Sequence, residues 1–121
     1  MVIKNYKDLE VWKKSRILVK QIYQLTKDFP KDELYALTSQ LRRAIISVPS
    51  NIAEGHSRSG TKDFIQFISI AIGSLAEVET QIILAEDLEY INSSKTEKIY
   101  GNIHELQRML HALRTSLKAK L

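Results

Sequence analysis

Side chains that could carry acid–base or metal chemistry are few and scattered along this chain. The three histidines are His56, His104 and His111, and the last two are seven residues apart, so they share one helical face. Neither has the Glu-x-x-His partner of a di-iron bundle, and no His-Glu-x-x-His zinc motif occurs. We interpret these histidines as surface side chains and expect no metal.

Motifs for nucleophilic catalysis or phosphate cradling are also absent. The chain contains no cysteine, which removes disulfides, thiolate metal ligands and cysteine nucleophiles and fits a reducing compartment. No serine lies in a Gly-x-Ser-x-Gly elbow, and no Gly-x-x-x-x-Gly-Lys loop or dinucleotide fingerprint occurs. The sequence therefore predicts a protein that is not an enzyme, holds no cofactor and acts by binding.

Positive charge is concentrated in the first half of the chain. Residues 1–62 carry twelve Lys and Arg against six Asp and Glu, whereas residues 63–121 carry six against eight. A basic region attracts polyanions such as nucleic acid, although it can equally serve only to keep a protein soluble. The candidate phosphate contacts are the cations of the first two predicted helices: Lys13, Arg16, Lys20, Arg42 and Arg43.

Helical spacing of apolar residues predicts that four helices position these cations, and no segment alternates with the period of a strand. We expect helices over about 8–28, 31–54, 61–90 and from 94 onward. Asp8, Thr61 and a capping box at Ser94 would begin three of them. Leu34 would open the buried stripe of the second helix, and Pro49 would kink that helix without ending it. Short connections favour one all-α domain over residues 1–121, an antiparallel up-down-up-down four-helix bundle.

The third predicted helix is apolar on two faces. One stripe comprises Phe64, Phe67, Ala71, Leu75, Val78 and Ile82. The other comprises Ile65, Ile68, Ile72 and Ala76. A bundle helix normally buries one stripe, so the second needs other cover. We predict a homo-oligomer with Ile65, Ile68 and Ile72 at the subunit interface; the alternative is a wide core stripe with scattered exposed isoleucines.

Membrane association is not expected. The longest apolar run, 64–72, is interrupted by Gln66 and Ser69 and is too short to span a bilayer. The first eight residues lack the apolar core of a signal peptide. We therefore expect a cytoplasmic protein.

Several small or polar residues interrupt the apolar faces. Asn51 and Glu54 follow the proline, and Glu77 falls inside an apolar stripe. We interpret them as a buried network that fixes helix register, with a small polar binding site as the alternative. Gly73 and Ser74 would mark a close approach of two helices.

Five runs of residues resemble a known family over nearly the whole chain. They are Tyr6–Trp12, Gln40–Ala44, Ser47–Gly55 (SVPSNIAEG), Ile70–Glu77 (IAIGSLAE) and Leu88–Ile91. The resemblance is to the four helix bundle protein family, also called the 23S ribosomal RNA intervening-sequence protein or S23 family.

The resemblance implies a cytoplasmic bacterial protein whose bundles form a ring-like homopentamer, often encoded within insertions in ribosomal RNA genes. The accessory variability determinant of diversity-generating retroelements is similar; it is a basic pentameric bundle that binds nucleic acid and a reverse transcriptase. The positions that match the family pattern, which we interpret as structural, are Pro49, Asn51, Glu54, Gly55, Gly73 and Glu77. The expected function is that of an RNA-binding accessory protein, and the alternative is a protein scaffold without nucleic-acid contact.

Overall fold

Four α-helices and two short 3-10 turns make up the part of the chain, residues 5–121, that the computed structural model describes. The helices are α1 (Glu10–Thr26), α2 (Leu37–Ser57), α3 (Thr61–Asp87) and α4 (Ser93–Lys118). Each packs against the next along the chain, and α4 packs back on α1. This is the predicted all-α four-helix bundle.

The core is built from one buried stripe on each helix. On α1 the predicted inward positions Val11, Leu18, Ile22 and Leu25 are all buried. On α4 the buried side chains are Ile99, Ile103, Leu106, Leu110 and Leu117, at the predicted steps of three, four and seven. Removing these side chains from water supplies the driving force that holds the four helices together.

The predicted N-caps were wrong at all three sites. Asp8 lies in a 3-10 turn (Tyr6–Asp8), and α1 begins after Leu9 without a side-chain cap. Gly60, not Thr61, precedes α3. The capping box fails because Ser94 lies inside the first turn of α4, where its hydroxyl contacts the Asn92 side chain instead of a backbone amide.

The second helix begins later than predicted. Residues 31–33 form a 3-10 turn (Lys31–Glu33), and the Tyr90 hydroxyl donates a 2.6 Å hydrogen bond to Glu33 that holds this turn near the end of α3. Leu34, predicted to be buried, is therefore outside the helix and 46% exposed. Pro49 lies within α2 and does not end it, as predicted.

The face of α3 that enters the core differs from both predicted stripes. Ile65 and Ile68 are buried inside this chain, and Ile72 is packed partly against the same core. Ile65 and Ile68 are therefore not available for the predicted subunit interface, whereas Ile72 is partly exposed and its predicted role stays a prediction. Because α3 packs against both α2 and α4, its buried face takes residues from both stripes. The buried residues are Ala71, Leu75, Val78 and Ile82 of the first stripe and Ile65 and Ile68 of the second.

The exposed apolar residues of α3 are others. Ile70, Ile83 and Leu84, with Leu88 at the C-cap, are each about half exposed, and Ile70, Leu84 and Leu88 lie on one side of the helix. The expectation that nothing here could cross a membrane considered only the run 64–72. The whole of α3 is long and apolar enough to do so by length and composition, and 33% of its most apolar stretch is buried in the bundle. Core helices of bundles share this property.

Candidate nucleic-acid interface

A groove of about 660 Å³ runs between α1 and α2 on the outside of the bundle. Three of the five predicted phosphate contacts, Lys13, Arg16 and Lys20, line it from α1. Their steps of three and four residues return to the same side of the helix, which brings the three cations together. We call this feature the α1/α2 groove.

Aromatic side chains form one end of the α1/α2 groove. The Lys7 amide donates to the side-chain oxygen of Asn5 at 2.9 Å, which caps the first 3-10 turn and fixes Tyr6. The Tyr6 ring meets Trp12 edge-on, with centroids 5.3 Å apart and planes at 71°. The Arg16 guanidinium lies 5.0 Å from the centroid of the Trp12 ring, a cation–π contact. The end of the groove therefore combines a planar apolar surface with positive charge.

The opposite wall belongs to α2 and contains no charged side chain. Ile46, Pro49 and Ala53 follow one another at steps of three and four along it, with Ser50 beside them. Short side chains at positions 50 and 53 leave the space between the helices unfilled. Sequence reasoning interpreted Pro49 as purely structural and missed its place in the groove, because only the packing of α2 on α1 brings it opposite Trp12.

Arg42 and Arg43 do not join the three α1 cations in the groove. Arg42 donates from Nε to the Thr26 hydroxyl at 2.9 Å, and its guanidinium stacks 4.7 Å from the Tyr23 ring, so its hydrogen-bonding capacity is partly used. Arg43 lines a separate, smaller cavity between α2 and α3, together with Glu77. The predicted set of five cations is therefore not one surface.

The polar family positions contribute unequally to the contact between α2 and α3. Asn51 donates to the carbonyl of Ser47 at 2.7 Å and to its hydroxyl at 2.9 Å. The Ser47 hydroxyl in turn lies 2.8 Å from that of Ser74 on α3. Glu54 instead pairs with Arg58 on its own helix, at 2.7 Å and exposed to solvent. The interhelical network thus includes Asn51 and excludes Glu54.

The close approach of α2 and α3 occurs at Gly55 and not at Gly73. A Cβ atom at Gly55 would lie 2.6 Å from Cβ of Phe67, nearer than real Cβ atoms come. A Cβ at Gly73 would meet nothing within 4 Å, so the prediction for that residue was wrong. Ser74 does mark an approach, through its hydrogen bond to α2.

The histidines of α4 engage in ordinary surface contacts. His104 lies 2.6 Å from a carboxylate oxygen of Glu79. Arg114 Nη2 lies 3.1 Å from Nδ1 of His111, one turn away on the same helix. Within residues 5–121, no three His, Asp or Glu side chains converge in a way that could hold a metal ion.

Two tyrosines have raised pKa values, and both lie away from the α1/α2 groove. Burial, followed by a hydrogen bond donated to Glu86, raises the pKa of Tyr100. The pKa of Tyr90 is raised chiefly by its hydrogen bond to Glu33. Both phenols stay protonated at neutral pH and connect elements of the bundle. Neither is poised to act as a base.

Comparison with known proteins places the chain in a family. A family model described as 23S rRNA-intervening sequence protein matches residues 7–112. The chain belongs to that family. A crystal structure of a protein of unknown function from the S23 ribosomal protein family of Bacteroides thetaiotaomicron has a TM-score of 0.79. The two sequences are 26% identical, and the match covers 86% of this chain and 97% of the Bacteroides chain. No curated protein matches the chain.

Membership of the 23S rRNA-intervening sequence protein family confirms the resemblance drawn from the motifs. The family is not a known enzyme family, and the Bacteroides structure is described as having unknown function. The surfaces of this chain are therefore what can indicate its function.

Proposed function

We propose that this member of the 23S rRNA-intervening sequence protein family is a non-enzymatic accessory protein that binds RNA in the α1/α2 groove. The observation that carries the proposal is the joint presence of Lys13, Arg16 and Lys20 along that groove. Cations aligned on one surface contact successive phosphates and release the counterions condensed on them. Each such contact adds affinity that falls with salt.

Competition from carboxylates in the groove is weak. Lys13 lies 3.6 Å from Glu10, one turn away on α1, and both side chains are more than half exposed. An exposed pair of this kind contributes at most about 1 kcal/mol and gives way readily to a phosphate. Within residues 5–121, Arg16 and Lys20 have no carboxylate partner. Two of the three cations are thus available without breaking any ion pair.

The test is a fluorescence anisotropy titration of a labelled structured RNA at several salt concentrations. A variant with Lys13, Arg16 and Lys20 all changed to Gln should bind more weakly and lower the slope of log affinity against log salt by about 2 to 3. The matched control changes Arg108, Lys118 and Lys120 of α4 and its C-terminal end to Gln, which removes the same charge elsewhere.

Equal losses in the two triple variants would show that net charge, and not the groove, governs binding. If the unaltered protein fails to bind RNA at micromolar concentration in low salt, the proposed function is wrong.

A second candidate is a protein scaffold built by self-association, and the exposed apolar side chains of α3 favour it. Ile70, Leu84 and Leu88 lie on one side of α3 and its C-cap, and about half of each side chain is exposed to solvent in the single chain. Burial against another copy would remove them from water. We propose that the cytoplasmic form is a homo-oligomer, and the family resemblance favours a pentamer. The resemblance also favours a nucleic-acid-handling protein, such as a reverse transcriptase, as a binding partner.

Light scattering at micromolar concentration tests this second candidate. The unaltered protein should have several times the chain mass of 13.9 kDa, about five times for a pentamer. Changing Leu84 and Leu88 to Glu should dissociate it into folded monomers, whereas Ile17→Glu, at a similarly exposed isoleucine of α1, should leave the assembly intact. A monomer mass for the unaltered protein would contradict self-association. A specific protein recovered by pull-down and retained after nuclease treatment would favour the scaffold over RNA binding.

A further inference from the structure

We infer that the α1/α2 groove receives an unpaired base, so that the protein selects single-stranded or looped RNA over duplex. This inference rests on the proposed RNA binding and specifies which form of RNA the groove accepts. It follows from features of the groove other than its charge: the exposed aromatic surface at one end and the apolar wall of small residues opposite.

Trp12 provides the stacking surface. Its ring is half-buried against the core, with Tyr6 meeting it edge-on and the planar guanidinium of Arg16 over its outer face. A ring held by two neighbours has little freedom to lose when a base stacks on it, so the ordering cost is low. Every nucleobase has a π face, which makes stacking tolerant of sequence. For a base to stack there, the flexible Arg16 side chain must leave the ring face, and its guanidinium can then contact the phosphate of the stacked nucleotide.

The α2 wall makes room for that base. Pro49 and Ala53 face the groove with short apolar side chains, and Ser50 offers a hydroxyl beside them. A base inserted here exchanges water for apolar contact on its second face, while Lys20 remains at the groove for a neighbouring phosphate. The result is a slot with a planar cation–aromatic end and an apolar side.

A duplex cannot use this slot. In an A-form helix the faces of the bases are covered by their neighbours, and only their edges and the backbone are accessible. A duplex could therefore engage Lys13, Arg16 and Lys20 through phosphates but could not stack on Trp12. Loops, bulges and single strands, whose bases can turn outward, gain the stacking contact in addition.

Two RNAs of equal charge separate the contributions: a labelled single strand and a blunt-ended duplex stem with the same number of phosphates, titrated at one salt concentration. Stacking of one base predicts that the single strand binds about five- to hundredfold more tightly. Trp12 is the only tryptophan in the chain, so its fluorescence reports on this position alone. It should be quenched by the single strand and unaffected by the stem.

The decisive variant is Ala53→Leu, which fills the slot without altering Trp12 or any cation. Leucine is a good helix former, so α2 should tolerate it. Ala76→Leu is the matched control, since Ala76 lines the groove between α3 and α4. Ala53→Leu should abolish both the preference for the single strand and the quenching, and Ala76→Leu should change neither.

Equal binding of both RNAs without quenching would overturn the inference and leave the proposed RNA binding intact. A preference for the single strand that survives Ala53→Leu would place the stacking elsewhere and also overturn it. Failure of the unaltered protein to bind either RNA would contradict the inference and the proposed function together.

Discussion

Among the four glycines, Gly55 is the one at which an added methyl group should most reduce the stability of the bundle. In Gly55→Ala the new Cβ would stand 2.6 Å from Cβ of Phe67 and 3.0 Å from Cδ1 of Phe64. Cβ of Phe67 is fixed to the backbone of α3, so rotation of the side chain cannot relieve the contact. The helices α2 and α3 must separate, which loosens the core packing between them.

The expected loss follows from two opposing effects. Overpacking of a tight contact costs about 1–3 kcal/mol, and the absence of a flexible neighbour places this case in the upper part of that range. Alanine in place of glycine within a helix returns about 1 kcal/mol. The free energy of unfolding should therefore fall by about 1–2 kcal/mol. At about 2.1 cal/mol/K of unfolding entropy per residue, the melting temperature should fall by about 4–8 °C.

Urea unfolding followed by circular dichroism measures this loss, with Gly73→Ala and Gly101→Ala as controls. Both control glycines are exposed helix residues whose added Cβ would meet nothing within 4 Å. Each control should gain up to about 1 kcal/mol from helix propensity alone. The same Gly→Ala substitution should thus lower the free energy of unfolding at a tightly packed position and raise it at an open one. If Gly55→Ala proves as stable as the controls, α2 and α3 do not approach each other at Gly55.

Three further changes test contacts inside the bundle. Gln81 is 5% exposed and its side-chain oxygen has no donor within residues 5–121, while its amide nitrogen donates to Glu77 at 3.2 Å and to Gln40 at 3.5 Å. Because the exposed Glu77 can bond to water instead, Gln81→Met should raise the free energy of unfolding in urea by up to about 1 kcal/mol. A loss would mean that the two donated bonds outweigh the unpaired oxygen. The raised pKa of Tyr100 means that its protonated phenol stabilises the fold below pH about 10 and that this contribution is lost as pH rises through the folded-state value. Tyr100→Phe should therefore flatten the fall in stability above pH about 10, measured by urea unfolding, and an unchanged slope would refute the assignment. Ser47→Ala and Ser74→Ala should each lower the free energy of unfolding by about 0.5–1.5 kcal/mol. Because the two hydroxyls share one hydrogen bond, the double variant should lose less than the sum of the two single losses. Strict additivity in urea unfolding would show that the bond does not form.

The number and order of helices were predictable because burial of one face imposes a 3.6-residue period wherever it occurs. Every residue of the predicted inward stripes of α1 and α4 is buried except Leu113, which is partly buried. Helix starts were not predictable from cap residues, since a cap depends on how the chain enters the helix. At Ser94 a neighbouring side chain competes for the hydroxyl, and the helix begins one residue earlier.

The face of α3 was ambiguous for a different reason. A helix that is apolar over most of its circumference has several faces that could be buried, and its period does not select one. Contact with α2 on one side and α4 on the other determined that Ile65 and Ile68 enter the core and that Ile70 does not. Glycine is ambiguous in the same way: it permits a close approach at Gly55 and at Gly73, and only the neighbouring helix decides which one occurs.

The separation of the predicted cations follows from helix geometry alone. Consecutive residues of an α-helix point about 100° apart, so Arg42 and Arg43 cannot both face one groove of α2. Lys13, Arg16 and Lys20 are spaced so that they can, and all three line the α1/α2 groove. Spacing therefore identifies which charges act together, whereas their number per half-chain does not. The charge on α1 could be predicted from the sequence, but the groove that Trp12 and Pro49 both line exists only once α2 packs beside α1. The proposed recognition of an unpaired base would consequently depend on the helix pair, and no count of basic residues could have predicted it.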